Sequence, residues 1–154
     1  MALDNTIAVL RRAPIFGLFE DEALRIIANV ADSRKLRPGE MLFRQGDRSD
    51  GGYVVTSGEI TVGREGDAAD AEDSVRLGPG GLIGQVALFV RMQRPATATA
   101  QEASSVLRIS PTLMKRVLQE YPAAADGMVQ VLSRDLEALA AGLGSVEALF
   151  AAEP

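Results

Sequence analysis

Residues 82–100 read LIGQVALFVRMQRPATATA, and the order of residue types in this stretch decides the fold. Gly84 follows two apolar residues, the short apolar run Val86–Ala87–Leu88 follows Gln85, Arg94 comes next to Pro95, and small and β-branched residues then alternate through Ala100. Glycine is the residue that takes a tight reversal at positive φ without strain. The apolar run is long enough for a helical turn and too short for an amphipathic helix, whereas the Ala-Thr alternation has the period of two of a strand with one buried face. Turn, helical turn, cation and strand therefore lie within nineteen residues, counted from 82 to 100.

Outward from this stretch, residues 33 to 110 keep a β-rich texture: KLRPGEMLFRQGD, GGYVVTSGEITVGRE, SVRLGPGGLI and ATATAQEASSVLRIS. Pro38-Gly39, Gly46-Asp47, Gly51-Gly52, Ser57-Gly58 and Gly78-Pro79-Gly80 punctuate these runs at the short intervals of sandwiches and barrels. YVVTSGEITV predicts a hairpin about Ser57-Gly58, with Tyr53, Val55, Ile60 and Val62 on apolar faces. On the N-terminal side, LDNTIAVLRR has loosely helical apolar spacing with Asp4 or Asn5 as a cap. EDEALRIIANVADS brings Leu24, Ile27, Ala28 and Val30 toward one face, with acids in its first turn. After Pro111 the helical period returns in TLMKRVLQEY and, past Pro122, in a segment carrying Met128, Val131, Leu132, Leu136, Leu139 and Leu143. The expectation is one domain over residues 1–154: helices at about 4–31, a β-barrel at about 33–110, and C-terminal helices at about 111–143.

Composition removes several classes of function. The 154 residues carry 16 Lys and Arg against 21 Asp and Glu, a formal net charge of -5, which repels a nucleic-acid backbone. There is no cysteine and no histidine, so thiolate or imidazole metal sites, disulfides, and Ser-His-Asp or Cys-His catalysis are excluded. The N-terminus has its positive charge after its apolar residues, the reverse of a secretory signal, and no run approaches a membrane span. A cytoplasmic protein without nucleic-acid or membrane partners, without metal or cofactor, and not an enzyme is expected.

The sequence of elements, with LRRAPIFGLFEDEAL, LRPGEMLFRQGD, GGYVVTSGEITV and above all IGQVALFVRMQRPATA, resembles the cyclic nucleotide-binding domains of catabolite activator proteins, protein kinase regulatory subunits and nucleotide-gated channels. The resemblance implies an α+β fold, an antiparallel β jelly-roll barrel, or double-stranded β-helix, flanked by N- and C-terminal α-helices. It also implies a phosphate-binding cassette, in which a short helix presents N–H groups to a cyclic phosphodiester and an arginine closes over the charge. Carried onto this chain, the ligand-binding residues are Gly84, Gln85, Val86, Ala87, Arg94, Pro95, Ala96 and Thr97, and the ligand is cAMP or cGMP. Gly84 gives clearance to the anion and Arg94 supplies the fork of donors.

Two positions depart from the cassette's usual pattern. Gln85 stands where the family has a glutamate that accepts from the ribose 2′-OH, and a neutral acceptor in place of a charged one costs about tenfold in binding. Pro95 stands where serine, threonine or alanine offers an N–H to phosphate, and a lost charge-assisted bond costs about 1–3 kcal/mol. The alternative reading is a degenerate cassette that binds no nucleotide and acts as a protein-interaction scaffold. The acidic run Asp67, Asp70, Glu72 and Asp73 lacks the spacing of a calcium loop and reads as solvated. With no further motif before Pro154, a stand-alone sensor is expected, signalling to an unidentified protein effector or through a homodimer formed by its C-terminal helix.

Overall fold

The computed structural model describes residues 2–64 and 74–127. The acidic run 67–73 and the apolar positions from Met128 onward lie outside the described residues. Two helices come first, α1 (Ala2–Arg12) and α2 (Asp21–Val30), joined through a 3-10 turn at Phe16–Leu18. Asp4 lies inside the first turn of α1 rather than capping it, where its charge still complements the helix dipole. Among the described residues eight strands follow: β1 (Asp32–Leu36), β2 (Met41–Phe43), β3 (Gly52–Ser57), β4 (Ile60–Gly63), β5 (Val75–Leu77), β6 (Leu82–Ile83), β7 (Thr97–Ala100) and β8 (Ser104–Ile109). A 3-10 turn at Val86–Leu88 interrupts them before β7, and α3 (Pro111–Glu120) comes after them. Residues 122–127 are again helical.

The strands form two antiparallel four-stranded sheets, ordered β1-β8-β3-β6 and β2-β7-β4-β5, which is the expected α+β jelly roll. The first sheet's central strands, β3 and β8, bury apolar residues on both faces. Tyr53, Val55 and Val106 turn inward to meet Ile60, Leu42, Ala98 and Ala100 of the second sheet. Val54, Leu107 and Ile109 turn outward, where Leu10, Leu24 and Ile27 of the N-terminal helices and Met114 and Val117 of α3 cover them. A strand buried on both faces reads as a continuous apolar run, as Tyr53-Val54-Val55 does. The second sheet lacks such a cover at Met41 and Arg76, which are exposed.

One expectation is corrected here: β3 and β4 do not pair as a hairpin. β3 bonds to β8 and β6, and β4 to β7 and β5, so the Ser57-Gly58-Glu59 turn carries the chain from one sheet to the other. The cause lies at the start of β8. Ser104 Oγ accepts from Glu59 N (3.0 Å), Gln101 N donates to Glu59 O (2.9 Å), and Gly58, at φ +85°, packs so closely on Ala103 and Ser104 that a Cβ would overlap them. The turn is thus folded around a third segment instead of closing on its own strands. The inward alternation of Tyr53, Val55, Ile60 and Val62 is kept because both strands still face one interior.

Candidate functional site

The loop between β2 and β3 and the segment before β7 are laced together, and this lacing places Arg94. Gly46, at φ +91°, turns the chain after β2. Gly46 N donates to Arg94 O (2.9 Å), Arg94 N to Asp47 O (2.7 Å), and Ser49 N to Met92 O (2.7 Å). Met92 N donates in turn to Ser49 Oγ (2.9 Å). With its backbone fixed on both sides, the Arg94 side chain is directed into the sandwich and is only 3% exposed.

A buried guanidinium needs acceptors, and the same loop supplies them. Arg94 Nη2 donates to Gly51 O at 2.7 Å and to Asp50 Oδ1 at 3.3 Å. The guanidinium carbon lies 4.1 Å from the centre of the Phe43 ring and 5.5 Å from that of Tyr53. Burial pulls the Arg94 pKa down from its ordinary value, and the neighbouring Tyr53, Asp50 and Asp47 pull it back up. The Tyr53 hydroxyl is shifted upward, by burial first and then by Asp50, with Arg34 opposing. It donates to Asp50 Oδ1 (3.1 Å) and accepts from Arg34 Nη1 (3.2 Å). Arg108 completes the cluster, pairing with Asp32 and donating from Nη1 to Asp50 O at 2.7 Å.

Arg94 lines a cleft of about 250 Å³ whose wall also holds Gly84, Gln85, Val86, Ala87, Pro95 and Ala96, with Phe43, Val62, Ile83 and Met92. Seven of the eight residues named from the sequence are therefore brought together in one wall, and Thr97 is not in it. Thr97 is 8% exposed and its hydroxyl accepts from Gln45 N at 2.9 Å, so it fastens β7 to the end of β2. Gly84 has φ +77°, and a Cβ there would stand 2.9 Å from Arg94 Nη1, so the missing side chain makes room for the guanidinium. Gln85 sits at the head of the 3-10 turn in right-handed helical backbone and has partners of its own. Ala87 and Leu88 are buried beneath that turn, while Val86 is 40% exposed.

Chemically the wall is an apolar cleft with one fixed cation and one amide, a donor set suited to a small anion bearing an apolar remainder. A larger concavity of about 460 Å³ lies outside the barrel between Phe89 and α3, lined by Pro111, Thr112, Lys115, Leu118 and Gln119. Among the described residues its lining holds no buried charged group. Sequence reading missed Asp50, Phe43, Tyr53, Ser49 and Met92. The only linear signal was the polar stretch GDRSD ahead of an apolar strand, which would place an acid near any cation that the sandwich buries.

The family model described as the cyclic nucleotide-binding domain matches residues 33–121. A cyclic nucleotide-binding-like protein from Brucella abortus is 35% identical, with 75% of this chain and 99% of that one aligned and a TM-score of 0.64. The N-terminal domain of a transcriptional regulator from Streptomyces coelicolor is 31% identical over 84% of this chain and 92% of that one, with a TM-score of 0.73. The cyclic AMP receptor protein of Thermus thermophilus is 25% identical over 127 residues, 82% of this chain and 59% of its own length. Across eight curated relatives the chain spans 8–59% of their length. With the family model matching from residue 33 to residue 121, more than half of the chain, the chain belongs to the cyclic nucleotide-binding domain family.

Proposed function

We propose that this chain is a regulatory module that binds a cyclic purine nucleotide, cAMP or cGMP, with the phosphate against Arg94. The observation that carries this reading is a buried arginine, held in one pose by Gly51 O and Asp50, in the wall of the cleft formed by Gly84 to Ala87. A guanidinium already ordered before the ligand arrives loses less entropy on binding than a free surface arginine. The cleft is smaller than the roughly 300–1,000 Å³ of most small-molecule sites. A nucleotide seated in it leaves part of itself outside, for contact with solvent or with another element. The reading is of a binding module and not a catalyst, in cytoplasmic surroundings; no helix among the described residues is long and apolar enough to cross a membrane. Its output would reach a protein effector or a second copy through the segment after α3, ligand shifting the balance between two arrangements by its differential affinity for them.

The site residues of the proposal are Gly84, Gln85, Val86, Ala87, Arg94, Pro95 and Ala96, with Thr97 supporting β7. Calorimetric titration with both nucleotides tests it. Binding is expected in the wild type and a loss of about a hundredfold in Arg94→Ala, the magnitude of one charge-assisted contact. Equal heats in the two proteins would end the proposal.

A second reading, a cassette that serves as a protein-interaction scaffold without nucleotide, is favoured by two observations: Arg94 Nη2 is already engaged within the protein, and Pro95 offers no N–H. Gln85→Glu combined with Pro95→Ser separates the two. A gain of about tenfold or more over a measurable wild-type affinity supports the nucleotide module. Absence of binding in both proteins leaves the scaffold.

A further inference from the structure

Arg94 is restrained in two different ways, by hydrogen bonds along one edge and by an aromatic ring beside the guanidinium. The bonds from Nη2 to Gly51 O and Asp50 hold one edge of the guanidinium. They leave the plane free to tilt about the edge. Tilt is limited by whatever packs beside the group, and the Phe43 ring lies with its centre 4.1 Å from the guanidinium carbon, within contact distance for a cation over an aromatic face. Tyr53 backs Phe43, the two ring centres being 6.0 Å apart with planes inclined by 32°.

Tyr53 acts a second time through its hydroxyl. Arg34 Nη1 donates to it, and it donates to Asp50 Oδ1, the same oxygen that accepts from Arg94 Nη2. Asp50 is 57% exposed, so without a second donor its carboxylate would choose among water, Arg94 and Arg108. The phenol narrows that choice. A mobile arginine at the edge of an apolar cleft holds an anion poorly, because ordering its side chain costs what the contact returns.

We propose that Phe43 and Tyr53 are positioning residues for anion capture: Phe43 sets the plane of the Arg94 guanidinium and Tyr53 sets its acceptor, so that the Nη1 side is presented at Gly84. The proposal rests on the reading of Arg94 as the anion-holding group.

The experiment reads the guanidinium directly and then the affinity. In ligand-free, nitrogen-15-labelled protein, the Arg94 side-chain resonance is identified by its loss in Arg94→Lys, and ring current from Phe43 is expected to move it upfield of exposed arginines. Phe43→Leu is expected to return it to the exposed range, Phe43→Tyr to keep it upfield, and Tyr53→Phe to leave the shift and broaden the line. In parallel titrations with cAMP and cGMP, Phe43→Leu is expected to weaken binding by about tenfold and Phe43→Tyr by less than about threefold. Phe43→Ile serves if the leucine variant does not fold, judged by the amide spectrum.

An Arg94 resonance that does not move in the aliphatic variants overturns the proposal, as does unchanged affinity in them beside a wild type that binds. If the resonance moves as expected while the wild type binds neither nucleotide, the positioning of Arg94 stands and the nucleotide reading falls.

Discussion

Gly84 shows how a single position sets the site. Gly84 combines positive φ with a missing Cβ that would press on Arg94 Nη1, so Gly84→Ala meets both a backbone and a steric cost. A loss of about 1–3 kcal/mol in thermal or urea unfolding is expected, with Arg94 displaced and nucleotide affinity lowered beyond the loss in stability. An alanine variant with wild-type stability and affinity would contradict the geometry. The linear order brings Gly84 and Arg94 into one cassette, but it does not show that a side chain at 84 would also press on a protein nitrogen 10 residues further on (84 to 94). Asp50 was illegible for a related reason: it reaches Arg94 across 44 residues, and no local period announces a partner at that separation.

Tyr53 carries a pH prediction at the same scale. Its hydroxyl is neutral when protonated, and burial and Asp50 hold its pKa above the ordinary value of 10.0 in the folded protein. Between the unfolded and folded pKa values the folded state therefore binds the extra proton, so this contribution to stability is complete below about pH 10 and falls as pH rises through the folded value. Measured against Tyr53→Phe, the wild type is expected to lose stability more steeply above about pH 10. Parallel curves for the two proteins would show that the hydroxyl is not held as the structure places it.

Elements are held here by the cap at the start of α3 and by the 46–50 loop laced to the segment before β7. α3 begins with Ser110, whose Oγ accepts from Leu113 N at 3.1 Å, and with Pro111 at the position where a missing N–H is harmless. Ser110→Ala is expected to cost about 1 kcal/mol in unfolding and to leave nucleotide affinity unchanged. Ser49→Ala removes the acceptor for Met92 N from the lacing that seats Arg94, at a similar cost of about 1 kcal/mol, and is expected to weaken ligand binding as well. The contrast between the two serines is the measurement: equal effects on affinity would mean that the 46–50 loop has no special hold on the cleft. Most elements were legible because their signals are local: the acids opening α2, the Pro after Ser110, the Ala-Thr alternation of β7. The hairpin predicted at Ser57-Gly58 failed because turn residues report that the chain reverses and not which strand it reverses onto. That choice is made by Ser104, 46 residues beyond Gly58.

On the scale of the molecule, the β1-β8-β3-β6 sheet belongs to two apolar clusters at once. Residues of β3 and β8 alternate between the sandwich interior, through Tyr53, Val55 and Val106, and the helical layer, through Val54, Leu107 and Ile109. Neither cluster can open without stripping one face of strands that the other needs. This predicts one cooperative unfolding transition, and the chain contains its own probes, since it has no tryptophan and only two tyrosines. Tyr53 is buried in the sandwich cluster and Tyr121 packs against the helical one. In Tyr121→Phe the remaining emission reports the sandwich, and in Tyr53→Phe it reports the helices. Urea curves followed by emission and by circular dichroism on each variant are expected to coincide within that variant, and Leu107→Ala, which empties the outward face alone, is expected to lower stability by about 2–5 kcal/mol in both backgrounds. If Leu107→Ala instead moved the Tyr121 transition and left that of Tyr53 in place, the two clusters would be separate units. The helical layer could then come away while the Arg94 cleft stayed folded, and a signal from the cleft to the helices would need a route other than the shared sheet.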